Sequence, residues 1–269
     1  MALVYRGSDP ITEMLRPKGN PAVSNRKRKS DMALKMVFFD LDGTLLPMDM
    51  DEFTMGYFKM LAAKAAPHGY ELPSLVKAIW HGVSAMVQND GHCNNEDAFW
   101  EDFGAIYGEE ALKDKPLFNE FYANEFQGAK KFCGYNPKAA ETVRWIQEQG
   151  LRVALATNPL FPAVATESRI RWTGLEPDEF EFYTTYENIG WCKPNLDYYR
   201  EVLRRAGVTA EDCLMVGNDV GEDMVAAELG MDVFLITDCL INKTGEDISK
   251  YPNGSFEELR EYIRGASQQ

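Results

Sequence analysis

The sequence predicts an α/β fold: a parallel β-sheet core with helices on both faces, plus a small all-helical segment inserted after the first strand. Three observations support this. Short apolar runs alternate with helical patterns over residues 137–264, which is typical of a parallel sheet. Residues 51–131 give only helical periodicity. The 269 residues suffice for one large domain with an insertion.

The first strand is predicted at residues 34–39 (LKMVFF), an apolar run that ends at Asp40. The inserted segment then carries apolar side chains at helical spacing, which predicts helices packed on one another. Three stripes are present, Phe53/Tyr57/Leu61, Leu75/Ile79/Val83/Met86 and Phe99/Phe103/Ile106, and residues 110–126 suggest a fourth helix.

The rest of the chain alternates between strand and helix patterns. Strands are predicted at 151–156, 180–184, 213–216 and 232–236, and helices at 137–149, 162–172, 195–206, 222–229 and 255–264. Gly150 and Gly207 end two of these helices, as glycine commonly does.

Composition excludes several classes of protein. The net charge of −14 argues against a nucleic-acid binder and against an anionic membrane surface. No apolar run is long enough to span a bilayer, and residues 1–20 lack the apolar core of a secretory signal. The five cysteines are odd in number and far apart, and the three histidines lack ligand spacing. We therefore expect reduced thiols, no zinc site and a cytoplasmic protein.

Charge is distributed unevenly along the chain. Residues 1–35 hold eight basic and three acidic residues, a net charge of +5, which leaves −19 for the remainder. This stretch has several prolines and glycines and no apolar periodicity, so residues 1–33 are predicted to be a disordered or extension tail. A targeting signal at residues 25–29 is the alternative, and Met32 and Met36 are both candidate start sites.

Polar residues follow the predicted strands. The first strand is followed by Asp40-Leu41-Asp42-Gly43-Thr44, and the second strand is followed by Thr157-Asn158. After the third strand there is a loop, and then Lys193-Pro194. The fourth strand is followed by Gly217-Asn218-Asp219, and Asp223 lies four residues after Asp219. Ligands of open parallel sheets bind outside the carboxyl ends of the strands. The order therefore predicts one site that holds carboxylates, a hydroxyl and an ammonium group.

On these residues the sequence resembles the haloacid dehalogenase superfamily of Mg-dependent phosphatases and phosphotransferases. The resemblance covers about residues 34–240 and rests on the DxDGT motif at 40–44, Thr157, Lys193 and the pair Asp219/Asp223. It implies a Rossmann-like core formed by 34–46 and 132–269, and a helical cap at 47–131. Cys192 stands where glycine is frequent, and Glu222 beside Asp223 leaves open which of the two serves the metal.

The chemistry explains these residue types. Asp40 would be the nucleophile that forms an aspartyl-phosphate, and Asp42 the general acid and base. Gly43, Thr157, Asn158 and Lys193 would hold phosphoryl oxygens, and Lys193 would also balance Asp40. The acids outnumber the lysine, so a divalent cation is required, and oxygen ligands suit Mg²⁺. The resemblance implies Asp40, the Asp42 backbone carbonyl, Asp219 and Asp223 as its ligands.

The predicted function is hydrolysis of a small phosphorylated metabolite, with the oligomeric state left open between monomer and dimer. Residues 46–131 hold fourteen acids, seven lysines and no arginine, which disfavours bisphosphate and phospho-acid substrates because no arginine clamp comes from the cap. Residues 47–51 and the region of His92 are candidate substrate contacts. Alternatives are a phosphomutase or phosphotransferase of the same superfamily, a haloacid dehalogenase, and a non-catalytic binding protein.

Overall fold

The computed structural model describes residues 34–267 and has an α/β fold built on a five-stranded parallel sheet. The strands are β1 (Met36–Phe39), β2 (Arg152–Leu155), β3 (Cys213–Gly217), β4 (Asp232–Ile236) and β5 (Asn253–Gly254). Their order across the sheet is β2-β1-β3-β4-β5, which places β1 between β2 and β3. This confirms the predicted fold class. The tail predicted at residues 1–33 lies outside the described residues.

Both faces of the sheet are buried, as expected for parallel strands covered by helices. Val37 and Phe39 join the apolar cluster on one face, and Met36 and Phe38 join the cluster on the other. Four helices of the core follow the sequence pattern closely: α5 (Pro137–Glu148), α6 (Ala163–Trp172), α7 (Leu196–Ala206) and α8 (Phe256–Ser267). The strands therefore present their carboxyl ends on one edge of a fully packed sheet.

The segment between β1 and β2 is helical, as predicted. It contains α1 (Met50–Ala65), α2 (Leu72–Gln88), α3 (Asn95–Tyr107) and α4 (Lys115–Ala123), with a 3-10 turn at Ala66–His68. The first two stripes are buried, whereas in the third Phe103 is buried and Ile106 is exposed. The single fourth helix predicted at 110–126 is wrong. Two 3-10 segments, Glu109–Asp114 and Glu125–Phe132, flank α4, and Pro116 has no amide to continue a helix from upstream.

Two other elements differ from the prediction. Residues 180–184 are extended beside β2, but only Tyr183 forms a bridge, with Leu155, so no strand forms there. Residues 222–229 contain a 3-10 segment, Met224–Leu229, in place of an α-helix. The carboxylate of Asp219 accepts the amides of Gly221 and Glu222, and these bonds form a turn where the helix was expected to begin. Further 3-10 turns lie at Pro177–Glu179, Ala210–Asp212 and Ile248–Lys250.

The two ends of the helical segment, where the chain enters and leaves it, lie next to each other. Met48 and Cys133 form an antiparallel bridge, and the amide of Gly134 donates to the carbonyl of Pro47 at 2.7 Å. The pairing lies at the boundaries predicted for the cap. None of the five cysteines, all of which are described, forms a disulfide. Within residues 34–267, no helix has the length and apolar character needed to cross a membrane.

Candidate active site

The carboxyl ends of three neighbouring strands bring most of the predicted residues together. Asp40 follows β1, Thr157 lies two residues after β2, and Asn218 follows β3. Because β1 pairs with both β2 and β3 in parallel, these three strand ends meet at one edge of the sheet. Lys193 joins them from the loop that precedes α7.

Asp40 is held at both carboxylate oxygens. Its Oδ1 accepts a hydrogen bond from Nζ of Lys193 at 2.9 Å, and its Oδ2 accepts one from the hydroxyl of Thr44 at 3.2 Å. The side chain is only 10% exposed. Burial, and then the nearby Asp223 and Asp42, raise the pKa of Asp40 to about 7 despite the opposing effect of Lys193.

Lys193 bridges two carboxylates. Its fully buried ammonium group also donates to Oδ1 of Asp223 at 2.6 Å. Burial disfavours the charged lysine, but Asp223 and Asp40 outweigh that effect and raise its pKa well above the ordinary value. The lysine is therefore a fixed positive charge beside Asp40.

A tight loop places Gly43 against Asn218. Gly43 has φ +83°, and a Cβ at this position would lie 2.3 Å from Nδ2 of Asn218. The hydroxyl of Thr44 lies 2.9 Å from Oδ1 of Asn218. The Nδ2 group of Asn218 donates a hydrogen bond to the carbonyl of Cys239 at 2.7 Å. The amide of Gly43, predicted to bind phosphate, donates to the carbonyl of Leu46 in this conformation. Only glycine fits both the backbone and the contact.

The acidic residues that follow β3 have different partners. Asp223 is buried. Its Oδ2 accepts a hydrogen bond from the amide of Asp219 at 3.0 Å, and its Oδ1 accepts one from the ammonium group of Lys193. Glu222 instead accepts Nδ2 of Asn158 at 3.0 Å. Burial and Asp219 raise the pKa of Glu222 to about 8, and burial and Asp223 raise that of Asp219. Burial is the largest cause of both raised pKa values, and repulsion between neighbouring carboxylates adds to it.

This donor set suits a hard divalent cation. Asp40, Asp219, Glu222 and Asp223 supply carboxylate oxygens at this edge of the sheet, and a cation would reduce the repulsion among them. Within the part of the chain that the structure describes, no three His, Cys, Asp or Glu side chains form a complete cluster of ligands. Mg²⁺ is nevertheless commonly held by one or two carboxylates and several waters, so the residues fit the ion.

Asp42 has a different ionic partner from the other predicted acids. Its Oδ2 pairs with the guanidinium group of Arg169 on α6, and its Oδ1 is buried with no hydrogen-bond partner among the described residues. Thr157 is also buried, and its carbonyl accepts the hydroxyls of Thr184 and Tyr198 at 2.7 and 2.8 Å. The structure thus gathers the predicted residues but gives Asp42 an unforeseen partner.

The candidate substrate contacts receive different surroundings. Pro47, Met48 and Asp49 line a cavity of about 360 Å³, together with Glu52, Lys131, Phe132, Cys133 and Gly134. His92 is exposed and lies 2.7 Å from the exposed Asp90. The structure therefore places residues 47–49 beside a cavity, whereas Met50, Asp51 and His92 are exposed at the surface.

The sequence did not predict the contacts that three residues make at the candidate site. Thr44 belongs to the DxDGT motif, yet the motif does not predict its bonds to Asp40 and Asn218. Asn218 lies between Gly217 and Asp219, and nothing in the sequence indicates its contact with Thr44. Arg169 had no signal at all, because it lies 127 residues after Asp42 on an ordinary helix pattern.

Residues 34–230 match the family of haloacid dehalogenase-like hydrolases. The chain is 27% identical over 222 residues to a glyceraldehyde 3-phosphate phosphatase of Methanothermobacter thermautotrophicus, covering 81% of this chain and 92% of that protein. It is 25% identical over 204 residues to a phosphoglycolate phosphatase of Pseudomonas syringae pv. tomato, covering 73% and 67%.

Solved structures share the fold. A HAD phosphatase from Thermococcus onnurineus aligns with a TM-score of 0.55 at 20% identity, and a 2-haloacid dehalogenase from Pseudomonas syringae pv. tomato with 0.59 at 22%. Each alignment covers 86% of this chain and 99% of the other. The chain therefore belongs to the haloacid dehalogenase-like hydrolases, and its curated relatives include phosphatases of that family.

Proposed function

We propose that this hydrolase is a phosphatase that cleaves phosphate monoesters of small metabolites through a phosphorylated Asp40 and requires Mg²⁺. The observation that carries the proposal is the carboxylate of Asp40 at the end of β1, oriented at one oxygen by Lys193 at 2.9 Å and at the other by Thr44. A carboxylate fixed in this way is a positioned nucleophile, and positioning supplies most of the catalysis of phosphoryl transfer.

Two residues divide the covalent chemistry. An oxygen of Asp40 forms a bond to phosphorus while the bond from phosphorus to the leaving oxygen breaks. Asp42, two residues on, gives a proton to that oxygen. In the second step Asp42 takes a proton from a water molecule, whose oxygen displaces Asp40 from phosphorus. The products are the alcohol and inorganic phosphate.

The phosphoryl oxygens would be held by residues that follow β1 and β2 and by Lys193 from the loop before α7. Hydrogen bonds to these oxygens would come from the hydroxyl of Thr157 and the amide of Asn158, and the ammonium group of Lys193 would also offset their negative charge. Gly43 contributes by having no side chain, which lets the loop approach the phosphoryl group, and its amide becomes a donor once it leaves the carbonyl of Leu46. Asp223 acts by holding both Lys193 and the amide of Asp219.

The metal would be held by oxygen ligands of this edge: Asp40, the backbone carbonyl of Asp42 and Asp219, with Asp223 acting directly or through water. When bound, Mg²⁺ would offset the negative charge of the substrate and of the carboxylates. The partnering of Asp223 with Lys193 favours a contact through water. Glu222, bonded to Asn158, is the reserve ligand.

The helical segment of residues 47–131 would act as a cap over this edge of the sheet, and its residues that face the site would determine the substrate specificity. The relatives act on a triose phosphate and on phosphoglycolate by their names, which supports a small phosphorylated metabolite as substrate. A dehalogenase has no phosphate to neutralise and no use for a metal, so Asp219 and Asp223 favour phosphoester chemistry over that alternative.

The test is release of phosphate from p-nitrophenyl phosphate by the wild type, by Asp40→Asn and by Asp178→Asn. Asp178 is an exposed acid on the 3-10 turn after α6 and serves as the matched control. We expect Mg²⁺-dependent release that Asp40→Asn abolishes and Asp178→Asn retains. Turnover that survives a chelator or the Asp40 substitution would refute the mechanism. Transfer of the phosphoryl group to an added alcohol in preference to water would indicate a phosphotransferase.

A further inference from the structure

The helical segment contacts the core beside the candidate site as well as at its two ends. The first two amides of α3, those of Asn95 and Glu96, donate to the carbonyls of Ile189 and Tyr186 at 2.9 and 2.8 Å. Both carbonyls belong to the loop that leads to Lys193. Helix α3 therefore begins on that loop and brings the side chain of Asn95 next to it.

The side chain of Asn95 joins two loops of the core. Asn95 is fully buried. Its Nδ2 group carries two hydrogens, and it donates to the carbonyl of Pro159 at 3.3 Å and to Sγ of Cys192 at 3.2 Å. Pro159 follows Thr157-Asn158, and Cys192 precedes Lys193. One side-chain amide of the helical segment thus links two loops that supply proposed phosphate-binding groups.

A second buried amide fixes the orientation of Asn95. The Nδ2 group of Asn89 donates to Oδ1 of Asn95 at 3.0 Å, so the oxygen of Asn95 faces Asn89 and its Nδ2 group faces the two loops. The same group of Asn89 also donates to the carbonyl of Cys93 at 3.0 Å. A buried amide whose donors and acceptor all have partners is held in one orientation. The link between the loops is therefore a fixed one.

Cys192 provides the contact next to Lys193. This is the position at which the family resemblance makes glycine frequent, and glycine would have no side chain to hold. Here Sγ accepts from Asn95 and donates to the carbonyl of Met86 on α2 at 3.4 Å. Burial raises the pKa of the Cys192 thiol well above its ordinary value, so the thiol keeps its proton and can donate it. Both of these partners belong to the helical segment.

We propose that Asn95 is a positioning residue of the phosphatase, because its amide fixes both loops. It acts on Lys193 through Cys192, and it acts on Asn158 through Pro159. The inference rests on the proposed function, which assigns Lys193 and Asn158 to the phosphoryl oxygens. Misplacing such a group by about 1 Å can lower a rate about 100-fold. Asn95 acts in this way without touching the substrate.

The test compares Asn95→Ala with Asn94→Ala in the hydrolysis of p-nitrophenyl phosphate with Mg²⁺, well below the Tm of each variant. Asn94 is the matched control, because it caps the same helix by accepting the amide of Asp97 at 2.7 Å. Each substitution should lower Tm by roughly 2–8 °C, one through the lost cap and the other through the lost buried hydrogen bonds. We expect kcat/KM to fall about 10- to 100-fold for Asn95→Ala and to stay within about twofold of the wild type for Asn94→Ala.

Substitutions of Cys192 test the path to Lys193, and they do so without altering Asn95. Cys192→Ser keeps a group that accepts from Asn95 and donates to Met86, so it should retain kcat/KM to within about threefold. Cys192→Ala removes the group and should lower kcat/KM about tenfold or more. In the double variant with Asn95→Ala, the loss should fall short of the product of the two single losses by about threefold or more, because both act through one contact. Equal losses for Cys192→Ser and Cys192→Ala would overturn this path.

Binding of inorganic phosphate, measured by calorimetry with Mg²⁺, gives a readout that does not need turnover. The Kd should rise about tenfold or more for Asn95→Ala and stay within about twofold for Asn94→Ala. If the two variants melt alike and agree in both Kd and kcat/KM, the role of Asn95 is structural and the inference is overturned. A wild type that binds phosphate with this dependence on Asn95 but hydrolyses no ester would refute the proposed function and support the positioning role. A wild type that neither binds phosphate nor hydrolyses an ester would overturn both.

Discussion

Replacing Lys193 by methionine isolates the energetic role of the buried charges at the candidate site. Lys193 is fully buried and donates to Asp40 at 2.9 Å and to Asp223 at 2.6 Å, and the side chains of these acids are 10% and 2% exposed. Methionine keeps much of the apolar volume and removes the charge. Two buried carboxylates would then lie near each other without their shared cation.

The size of the expected loss comes from this geometry. Removing one partner of a buried ion pair costs about 3–5 kcal/mol, because the remaining charge is left uncompensated. For a protein of this size about 1 kcal/mol shifts Tm by roughly 2–4 °C. We therefore expect Lys193→Met to lower Tm by roughly 6–20 °C at pH 8 in the absence of metal.

The effect should depend on pH with a definite sign. Burial already raises the pKa of Asp40 to about 7 with Lys193 in place, and loss of the lysine removes an effect that lowers it. At pH 5.5 the carboxyl of Asp40 in the variant binds a proton and becomes neutral, so the loss of stability should be smaller than at pH 8. The comparison needs no catalytic activity.

Thermal denaturation followed by circular dichroism at pH 5.5 and pH 8 measures this loss. Lys138→Met is the control, because Lys138 is 48% exposed and its ionic partners within residues 34–267 are the surface acids Glu141 and Glu257. Its effect should stay within about 0.5 kcal/mol. The reasoning fails if Lys193→Met melts within about 2 °C of the wild type at pH 8, or if its loss is larger at pH 5.5.

Two further predictions concern the metal and the tight loop. The pKa values of Asp40 and Glu222, about 7 and about 8, lie above their ordinary values, so the folded protein binds more protons than the unfolded chain and metal-free stability should fall as pH rises toward 8. Mg²⁺ should then raise Tm more at pH 8 than at pH 6, relative to NaCl of equal ionic strength, and equal gains would contradict the assignment. Gly43→Ala should cost about 1–3 kcal/mol for its φ of +83°, plus the clash of its Cβ with Asn218. Gly150→Ala, at φ +78° with open space around it, meets the strain alone. If urea unfolding gives equal losses in the free energy of unfolding for the two variants, the contact of Cβ with Asn218 does not contribute to the destabilisation.

Much of the fold was predictable because its cause is local. The mostly apolar run at 34–39 and the apolar run at 213–216 indicate buried strands because they are short and lie next to helical patterns, and the structure has β1 and β3 there. The prediction failed where side-chain hydrogen bonds or proline decide the backbone. Asp219 turns the chain before residue 224, and Pro116 breaks the helix expected at 110–126.

The sequence by itself determined the α/β class, the inserted helices and the motif residues, because strand and helix periods and the rule that ligands lie at strand ends depend only on order along the chain. Only the tertiary structure decided which charges meet. The contacts of Lys193 with Asp40, 153 residues away, and of Arg169 with Asp42, 127 residues away, depend on how helices and loops pack over the sheet. Packing is a property of the whole fold, and no spacing in the sequence encodes it.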